Sequence, residues 1–524
     1  MIQLQVFLSI LVISLIIMKP IKIEFINHLV NKFDKYNIFF FILITLIILF
    51  LRLYNLTSIP KGINIDEAGL IYDTMSISKD GVDRYGISYP IYLNNYGQGM
   101  SVLYLYLNML FSFSKVTLFK TRFIIASLSV LMAIISYFIV RMEYEKKYAL
   151  LAYFLIATLP YFVMASRWAL DCNLMIIFTT FTLFLFLKSI QKDSAIYYLL
   201  TGILFGITLY SYALAYLILP IFISISIIYL FIYKKISFKN IFVMLLPIII
   251  FAIPLLLFIA VNNNLLSEFK LFGVFSISKI IEYRSSEISL NNISTNINVF
   301  KIYLLGLQWD FSVIRQFTTI YYFSIPLILY GVYKSILKIK KGYSQDSIML
   351  IYLFSAIMVT LVIENPNISK SNFVYFSLIY FLISGLSNLN KKNNLTILIV
   401  ISYILLSFVF TNYYFRVYAN FNLTFFENDI YEVIDYLEEN NEKGPIFIDM
   451  GNNYMAQIPI MISLNSSYKE HNYSEIENYD LYLNTSINYA YYLFRSDKYE
   501  DLKIKLRYDG YKVKDISGFE VYYK

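Results

Sequence analysis

The chain has 524 residues, 58% hydrophobic and 15% charged, with a net charge of +8 and a mean hydropathy of +0.61. That is far more apolar than a soluble domain of this length, so it reads as a polytopic membrane protein. One cysteine, Cys172, excludes an intramolecular disulfide and a cysteine-rich metal site, and two histidines leave little for a histidine metal centre or a Ser-His-Asp triad.

The 50 Tyr and 45 Phe accompany many Ile, Asn and Lys, the bias that AT-rich coding produces, so they do not by themselves mark sugar-stacking platforms. The basic residues lie in short connections between apolar runs, which makes the positive charge weak evidence for nucleic acid. No glycine-rich phosphate loop or dinucleotide-binding pattern is present, and no repeat that would indicate a solenoid.

From the N-terminus, apolar windows fall near 3–19, 37–54, 119–140, 148–165, 172–190, 195–213, 214–233, 240–260, 318–335, 346–363, 371–389 and 395–413. These predict about twelve transmembrane helices. Segment 1–18 resembles a signal peptide in length, but it lacks a basic start and a small-residue cleavage site. It is read as an extra anchoring helix with its N-terminus outside. Basic connections at 19–35, 141–147, 188–192, 234–239, 334–341 and 391–392 all fall on one side when the spans alternate, which makes that side cytoplasmic. The other side receives the first loop (55–118), Asp171, the loop 262–317, the segment 364–372 and everything after about 414. The apolar stretch 97–113 is read as a juxtamembrane helix, because counting it as a span would invert every later basic loop.

Three units follow: 1–36, an extra helix and cytoplasmic loop; 37–413, the transmembrane unit; and 414–524, a small extracytoplasmic α/β domain. In the last, 429–440 has helical spacing, 445–450 reads as a strand, 498–508 as a helix and 519–523 as a closing strand.

Candidate chemistry gathers in the outer connections. Asp66 and Glu67 sit about a dozen residues past a span, where ionised carboxylates face water, substrate or an ion. Arg122 enters the next long span, and Ser166-Arg167-Trp168-Ala169-Leu170-Asp171 marks the next outward turn. This layout over 37–413, with three specific stretches at 60–73, 81–99 and 166–173, resembles the GT-C superfamily of membrane glycosyltransferases. The pattern is most like the protein O-mannosyltransferase and aminoarabinose-transferase-like group.

The resemblance implies an inverting transfer of a sugar from a polyprenyl-phosphate donor to an envelope glycan, lipid or protein at the outer face. Asp66 matches the family's base, with Glu67 shaping the site or binding the acceptor; the alternative for Asp66 is a helix cap. Asp171 matches the second acid, where it would orient the acceptor or hold a cation; its alternative is a salt bridge to Arg167, which is itself counted with the substrate-binding residues. Some superfamily members use a divalent cation, and Asp66, Glu67 and Asp171 would be its ligands here. Arg122 matches a basic residue near the lipid phosphate, against snorkelling to headgroups. Lys370 stands where related sequences tend to carry Arg, a departure that replaces a planar fork with a point charge. Asp83 and Arg84 either bind the acceptor or pair with each other. Tyr212, with Tyr210 and Tyr216, either stacks on a sugar or belongs to the interfacial aromatic belt. Arg284, Asp310 and Arg315 lie in the loop 262–317, and His471 reads as a surface residue of the terminal domain. The competing readings are a transporter or flippase for lipid-linked sugars, an envelope polysaccharide polymerase, and a noncatalytic assembly protein.

Overall fold

The computed structural model describes residues 1–18, 36–95, 98–112, 116–280, 288–297, 313–340, 342–392, 396–421, 426–427, 433, 436, 446–449, 491–495 and 499–523. Helices come in the order α1 (Ile2–Ile17), α2 (Asn37–Leu53), α3 (Ile65–Asp80), α4 (Leu103–Phe111), α5 (Leu118–Arg141), α6 (Lys146–Thr158), α7 (Pro160–Ala165), α8 (Asp171–Lys192), α9 (Ala195–Leu209), α10 (Ala215–Ile232), α11 (Phe238–Asn262), α12 (Ser324–Ile339), α13 (Gln345–Val362), α14 (Val374–Lys392), α15 (Ile397–Arg416) and α16 (Glu500–Tyr508). Among the described residues, six helices are long and apolar enough to cross a membrane: α5, α8, α10, α11, α13 and α15. Shorter apolar helices, α1, α2, α9 and α14, accompany them.

Each apolar window overlaps helix, with one break. The window 148–165 divides at Leu159, because Pro160 has no N–H to continue α6 and instead starts α7 at its first position. The stretch 97–113 also departs from expectation. Its first part is the strand β3 (Gln98–Met100), paired antiparallel with β2 (Leu93–Asn95), and only α4 is helical. Nine residues at 1.5 Å each give roughly 14 Å, too short to span a bilayer.

Helices approach closely where side chains vanish. A Cβ on Gly331 of α12 would lie 1.9 Å from the Phe381 carbonyl oxygen of α14, and one on Gly385 would lie 2.1 Å from that of Leu327. Such contact replaces the hydrophobic drive that is missing between helices in lipid. Buried Gln5 ties α1 to the segment before α12, donating to the Gln316 carbonyl and accepting from Tyr322 N–H.

The bundle's two ends are chemically different. At one end Lys338 pairs with Glu143 and Asp346, Asn240 donates to Asp193, and Asn390 donates to Tyr148. This end carries the basic connections after α5, α8, α10 and α12. The other end gathers β1 (Ile63–Asn64), the β2/β3 hairpin, the 166–171 turn and the hairpin of β4 (Phe269–Leu271) with β5 (Phe275–Ile277). There Ser276 exchanges backbone hydrogen bonds with Ser88 and Ile91, docking the start of the 262–317 loop on the first loop.

After α15 the chain returns to that same end. β6 (Phe426–Glu427) pairs antiparallel with β1, opposite Ile63 and Asn64. Beyond it lies a four-stranded sheet of β7 (Ile446–Asp449), β8 (Tyr491–Phe494), β9 (Lys512–Ile516) and β10 (Phe519–Tyr523), in the order β7-β8-β10-β9 with β7 and β8 parallel. Phe447, Tyr492, Phe494, Leu506 and Tyr522 form its core. The predicted helix 498–508 begins at Glu500, and β8 and β9 join the two expected strands. The predicted helix 429–440 lies outside the described residues except at 433 and 436, which are helical.

Candidate active site

The acidic pair starts α3, and its two members face different ways. Asn64 caps the helix: its Oδ1 accepts Asp66 N–H at 2.9 Å, and Glu67 completes the capping box by accepting Asn64 N–H at 3.2 Å. The cap reading of Asp66 is therefore corrected, since the Asn64 side chain two residues earlier already fills that role.

Glu67 is fully buried. Its Oε1 accepts from Arg122 Nε at 2.9 Å and from Ala169 N–H at 2.6 Å, and its Oε2 accepts from Arg122 Nη2 at 2.8 Å. Arg122 sends its remaining donors to the carbonyls of Leu56, Thr57, Pro60 and Gly62 at 2.7 to 3.2 Å. With 0% of its side chain exposed, Arg122 does not snorkel to headgroups, and the carboxylate and carbonyls it bonds all lie within the protein. Glu67 likewise is committed to Arg122 and to the Ala169 N–H.

Arg167 is a second backbone pin. It donates to the carbonyls of Leu51, Tyr54, Asn55 and Ile59 at 2.6 to 3.1 Å, with Phe415 stacked 5.1 Å away. It satisfies the last turn of α2 and the turn after it. Its expected part in substrate binding is corrected, and so is the alternative pairing with Asp171, because its donors are taken by carbonyls.

Asp83 and Arg84 each hold other hydrogen-bond partners. Asp83 Oδ1 accepts Tyr85 and Ile87 N–H at 2.9 Å each, closing a turn while buried. Burial, with the charge of Asp73 second, pushes its carboxyl up to about 7. Arg84 forks onto Asp73, with Nη2 2.8 Å from Oδ2, and also donates to Asn95 Oδ1 at 3.1 Å. Both side chains are buried, Asp83 in its own turn and Arg84 against α3.

What remains at the surface of this scaffold is Asp66, half-buried, accepting Asn95 Nδ2–H at 2.7 Å. Asp171, 7% exposed at the start of α8, accepts Ser101 N–H at 3.2 Å and Cys172 N–H at 2.7 Å. The β2/β3 hairpin lies between them, Asn95 ending one strand and Ser101 following the other.

The α13–α14 connection joins the same place. Asn372 Nδ2 donates to the Cys172 carbonyl at 2.9 Å, beside Asn173 Oδ1 at 3.5 Å. Lys370, half-buried two residues earlier, donates from Nζ to the Glu364 carbonyl at 3.3 Å. Asn173 Nδ2, Ser371 Oγ and Asn372 Oδ1 are buried with no hydrogen-bond partner among the described residues. Tyr212 packs on Trp168, Leu170, Cys172 and Phe426. Tyr210 is turned away, donating to the Phe251 carbonyl, and Tyr216 is half-buried with its hydroxyl enclosed. Arg315 is exposed, while Arg284, Asp310 and His471 lie outside the described residues. No group of three acidic, histidine or cysteine side chains suited to a metal occurs among the described residues. With Glu67 paired to Arg122, a cation would have only Asp66 and Asp171 of the three expected ligands.

Residues 102–260 match the family described as dolichyl-phosphate-mannose-protein mannosyltransferase, less than half of the chain. No curated protein matches. Among solved structures, ArnT from Cupriavidus metallidurans bound to undecaprenyl phosphate superposes with a TM-score of 0.60 at 10% identity, covering 92% of this chain and 97% of that one. The archaeal oligosaccharyltransferase AglB from Archaeoglobus fulgidus, in complex with an inhibitory peptide and a dolichol-phosphate, gives 0.51 at 14% identity, covering 94% and 74%. The fold is that of the GT-C membrane glycosyltransferases.

Within this GT-C fold, the polar residues that define the site include several that residue-by-residue reading passed over: Asn64, Asp73, Asn95, Ser101 and Asn372. Asn64 carried a readable signal, since Asn-Ile-Asp-Glu is a capping-box spacing. Asp73 lies seven residues after Asp66, two helical turns along the same face. Asn95 and Asn372 carried none, because their partners are distant in sequence.

Proposed function

We propose that the chain is an inverting glycosyltransferase that moves a sugar from a polyprenyl-phosphate donor to an envelope acceptor at the outer face of the membrane. One observation carries this reading. Of the two adjacent acids, Glu67 is consumed by Arg122 while Asp66 stays half-buried at the end of the bundle that also carries Asp171, each held to the β2/β3 hairpin. In the reaction, Asp66 takes the acceptor hydroxyl proton as that oxygen attacks the anomeric carbon. The carbon–oxygen bond to the phosphate breaks, and the lipid phosphate leaves with its charge. One base suffices, because a phosphate leaving group needs cationic stabilisation rather than an acid. Lys370 supplies it in this reading, its loop held against α8 by Asn372.

The lipid phosphates named in the ArnT and AglB structures support a lipid-linked donor. Placement of the basic loops at the opposite end of the bundle supports an extracytoplasmic site. The transporter reading is less well supported, because it calls for charges at mid-membrane in broken helices. The test is turnover by the purified full chain with a panel of undecaprenyl-phosphate monosaccharides, read by mass spectrometry. Release of undecaprenyl phosphate together with a glycosylated acceptor is expected. Movement of intact donor between leaflets without release would favour the flippase, and transfer of a whole repeat unit the polymerase.

A further inference from the structure

The hairpin of β4 and β5 grows directly out of a membrane helix. Asn262, the last residue of α11, holds its base: Nδ2 donates to the Ser278 carbonyl at 3.4 Å and Oδ1 accepts Ile280 N–H at 3.0 Å. From Lys239 at the basic end of α11, about twenty residues at about 1.5 Å each cross a hydrocarbon core of about 30 Å, so the core ends near Ile259 and Asn262 lies in the headgroup layer. Ile250, Ile253 and Leu256 are exposed along this helix, the surface that lipid covers.

The hairpin continues that apolar surface beyond the helix. Phe272 at its tip is 86% exposed, and Leu265 and Val274 are exposed on either side in sequence. A Cβ on Gly273 would meet nothing within 4 Å. The charges of the hairpin are held away from the tip. Glu268 accepts Lys279 N–H at 2.7 Å, Lys279 Nζ donates to Asn264 Oδ1 at 2.7 Å, and Lys270 Nζ donates to Ser88 Oγ at 3.1 Å. The backbone points the same way. Phe272 and Gly273 have φ of 53° and 72°, the left-handed pair that Asn-Gly ordinarily supplies in a two-residue turn. A bulky residue fits the first of these positions poorly, and here its ring is left outside the protein's own packing. An aromatic ring held out on a strained turn calls for apolar surroundings that this chain does not supply.

We propose that the β4–β5 hairpin is a lipid-binding wedge that places Phe272 in the leaflet at the acid-bearing end of the bundle. The arm from Ser278 to Gly273 extends about 16 Å, enough to reach back across a headgroup layer of roughly 6 Å. Apolar side chains on an interfacial element bury themselves at that depth. Because Ser276 exchanges backbone hydrogen bonds with Ser88 and Ile91, the wedge also sets the height of the first loop above the leaflet. The proposal requires only that the bundle spans a membrane, and it stands apart from the reaction.

The test uses the full chain in nanodiscs with a nitroxide on Val274→Cys. Power saturation compares collisions with oxygen, which concentrates in hydrocarbon, and with a nickel chelate, which stays in water. The native Cys172 is buried, and wild type gives its background. Ile250→Cys on α11 and Ser78→Cys on α3, both exposed, mark the lipid and aqueous extremes. The Val274 label is expected to collide with oxygen in preference to nickel, as the Ile250 label does. If Val274→Cys does not fold, the label is carried on Phe272→Cys, where the nitroxide ring replaces the phenyl ring. A preference for nickel, as at Ser78, overturns the proposal. So does protection from both reagents, which would mean that protein covers the tip, either the rest of this chain or a second copy. Phe272→Gly suits the left-handed turn and removes only the ring. In that background the Val274 label is expected to reverse its preference and collide more with nickel, and a label that stays in hydrocarbon without the ring overturns the role of Phe272.

Discussion

Arg122 and Glu67 form a two-pronged ion pair at 2.9 and 2.8 Å, joining α5 to α3 with neither side chain exposed. Breaking such a pair leaves an uncompensated charge and costs about 3–5 kcal/mol. Glu67→Gln and Arg122→Ala are therefore expected to lose folded protein, seen as a lower melting temperature and reduced monodisperse yield. Arg122→Lys should behave similarly, since an ammonium cannot serve two carboxylate oxygens and four carbonyls. Stable variants with only a raised donor KM would return Arg122 to the lipid phosphate.

Asp66→Asn tests the base. It keeps size and leaves the Asn64 cap intact, so stability should match wild type. The transfer rate should fall about 10²–10⁴-fold. Near-normal release of undecaprenyl phosphate by this variant would move the base to Asp171.

Lys370 is expected to act on the donor phosphate. Lys370→Ala should raise the donor KM about tenfold with acceptor KM unchanged, and Lys370→Arg should retain most affinity because the charge persists. Equal donor KM in wild type and Lys370→Ala would leave the residue as a loop tether to the Glu364 carbonyl.

Asp83 gives a pH signature. Its folded-state value, raised to about 7 by burial and by Asp73, lies above the usual 3.8. Its contribution to stability is therefore complete below about pH 4 and is lost as pH rises through about 7. Asp83→Asn keeps the accepting oxygen for Tyr85 and Ile87 but cannot ionise. Relative to wild type, the variant should gain on the order of 1 kcal/mol between pH 5 and pH 8 in thermal melts. Parallel melting curves across that range would show that Asp83 keeps one protonation state.

Sidedness is read with engineered cysteines. Ser58 is exposed in the first loop and Lys235 is exposed at the opposite end, while the native Cys172 is buried. Ser58→Cys should react with an impermeant maleimide in intact cells, and Lys235→Cys only after permeabilisation. The reverse pattern would put the acids in the cytoplasm.

Hydropathy located the helical segments, because burying about twenty apolar residues in lipid is a local property of sequence. The basic connections likewise cluster at one end, since the order of spans alone fixes their parity. Local composition also placed strands at 445–450 and 519–523. What it misjudged was 97–113, where an apolar run reads as helix although its first residues pair with Leu93, Asn94 and Asn95 as a strand. The site divides in the same way. Adjacency made Asp66 and Glu67 look alike, and only the approach of Arg122, 55 residues further on, buries one and leaves the other half-exposed. Arg167 and Asp171 stand at a spacing that suits an ion pair, yet the turn at 166–170 separates them and sends the guanidinium to the carbonyls after α2. Sequence determined which residues were charged and at which end of the bundle they lay. Tertiary structure decided which charges are neutralised, because a buried ion finds its partner through space and that partner carries no signature in the neighbouring residues.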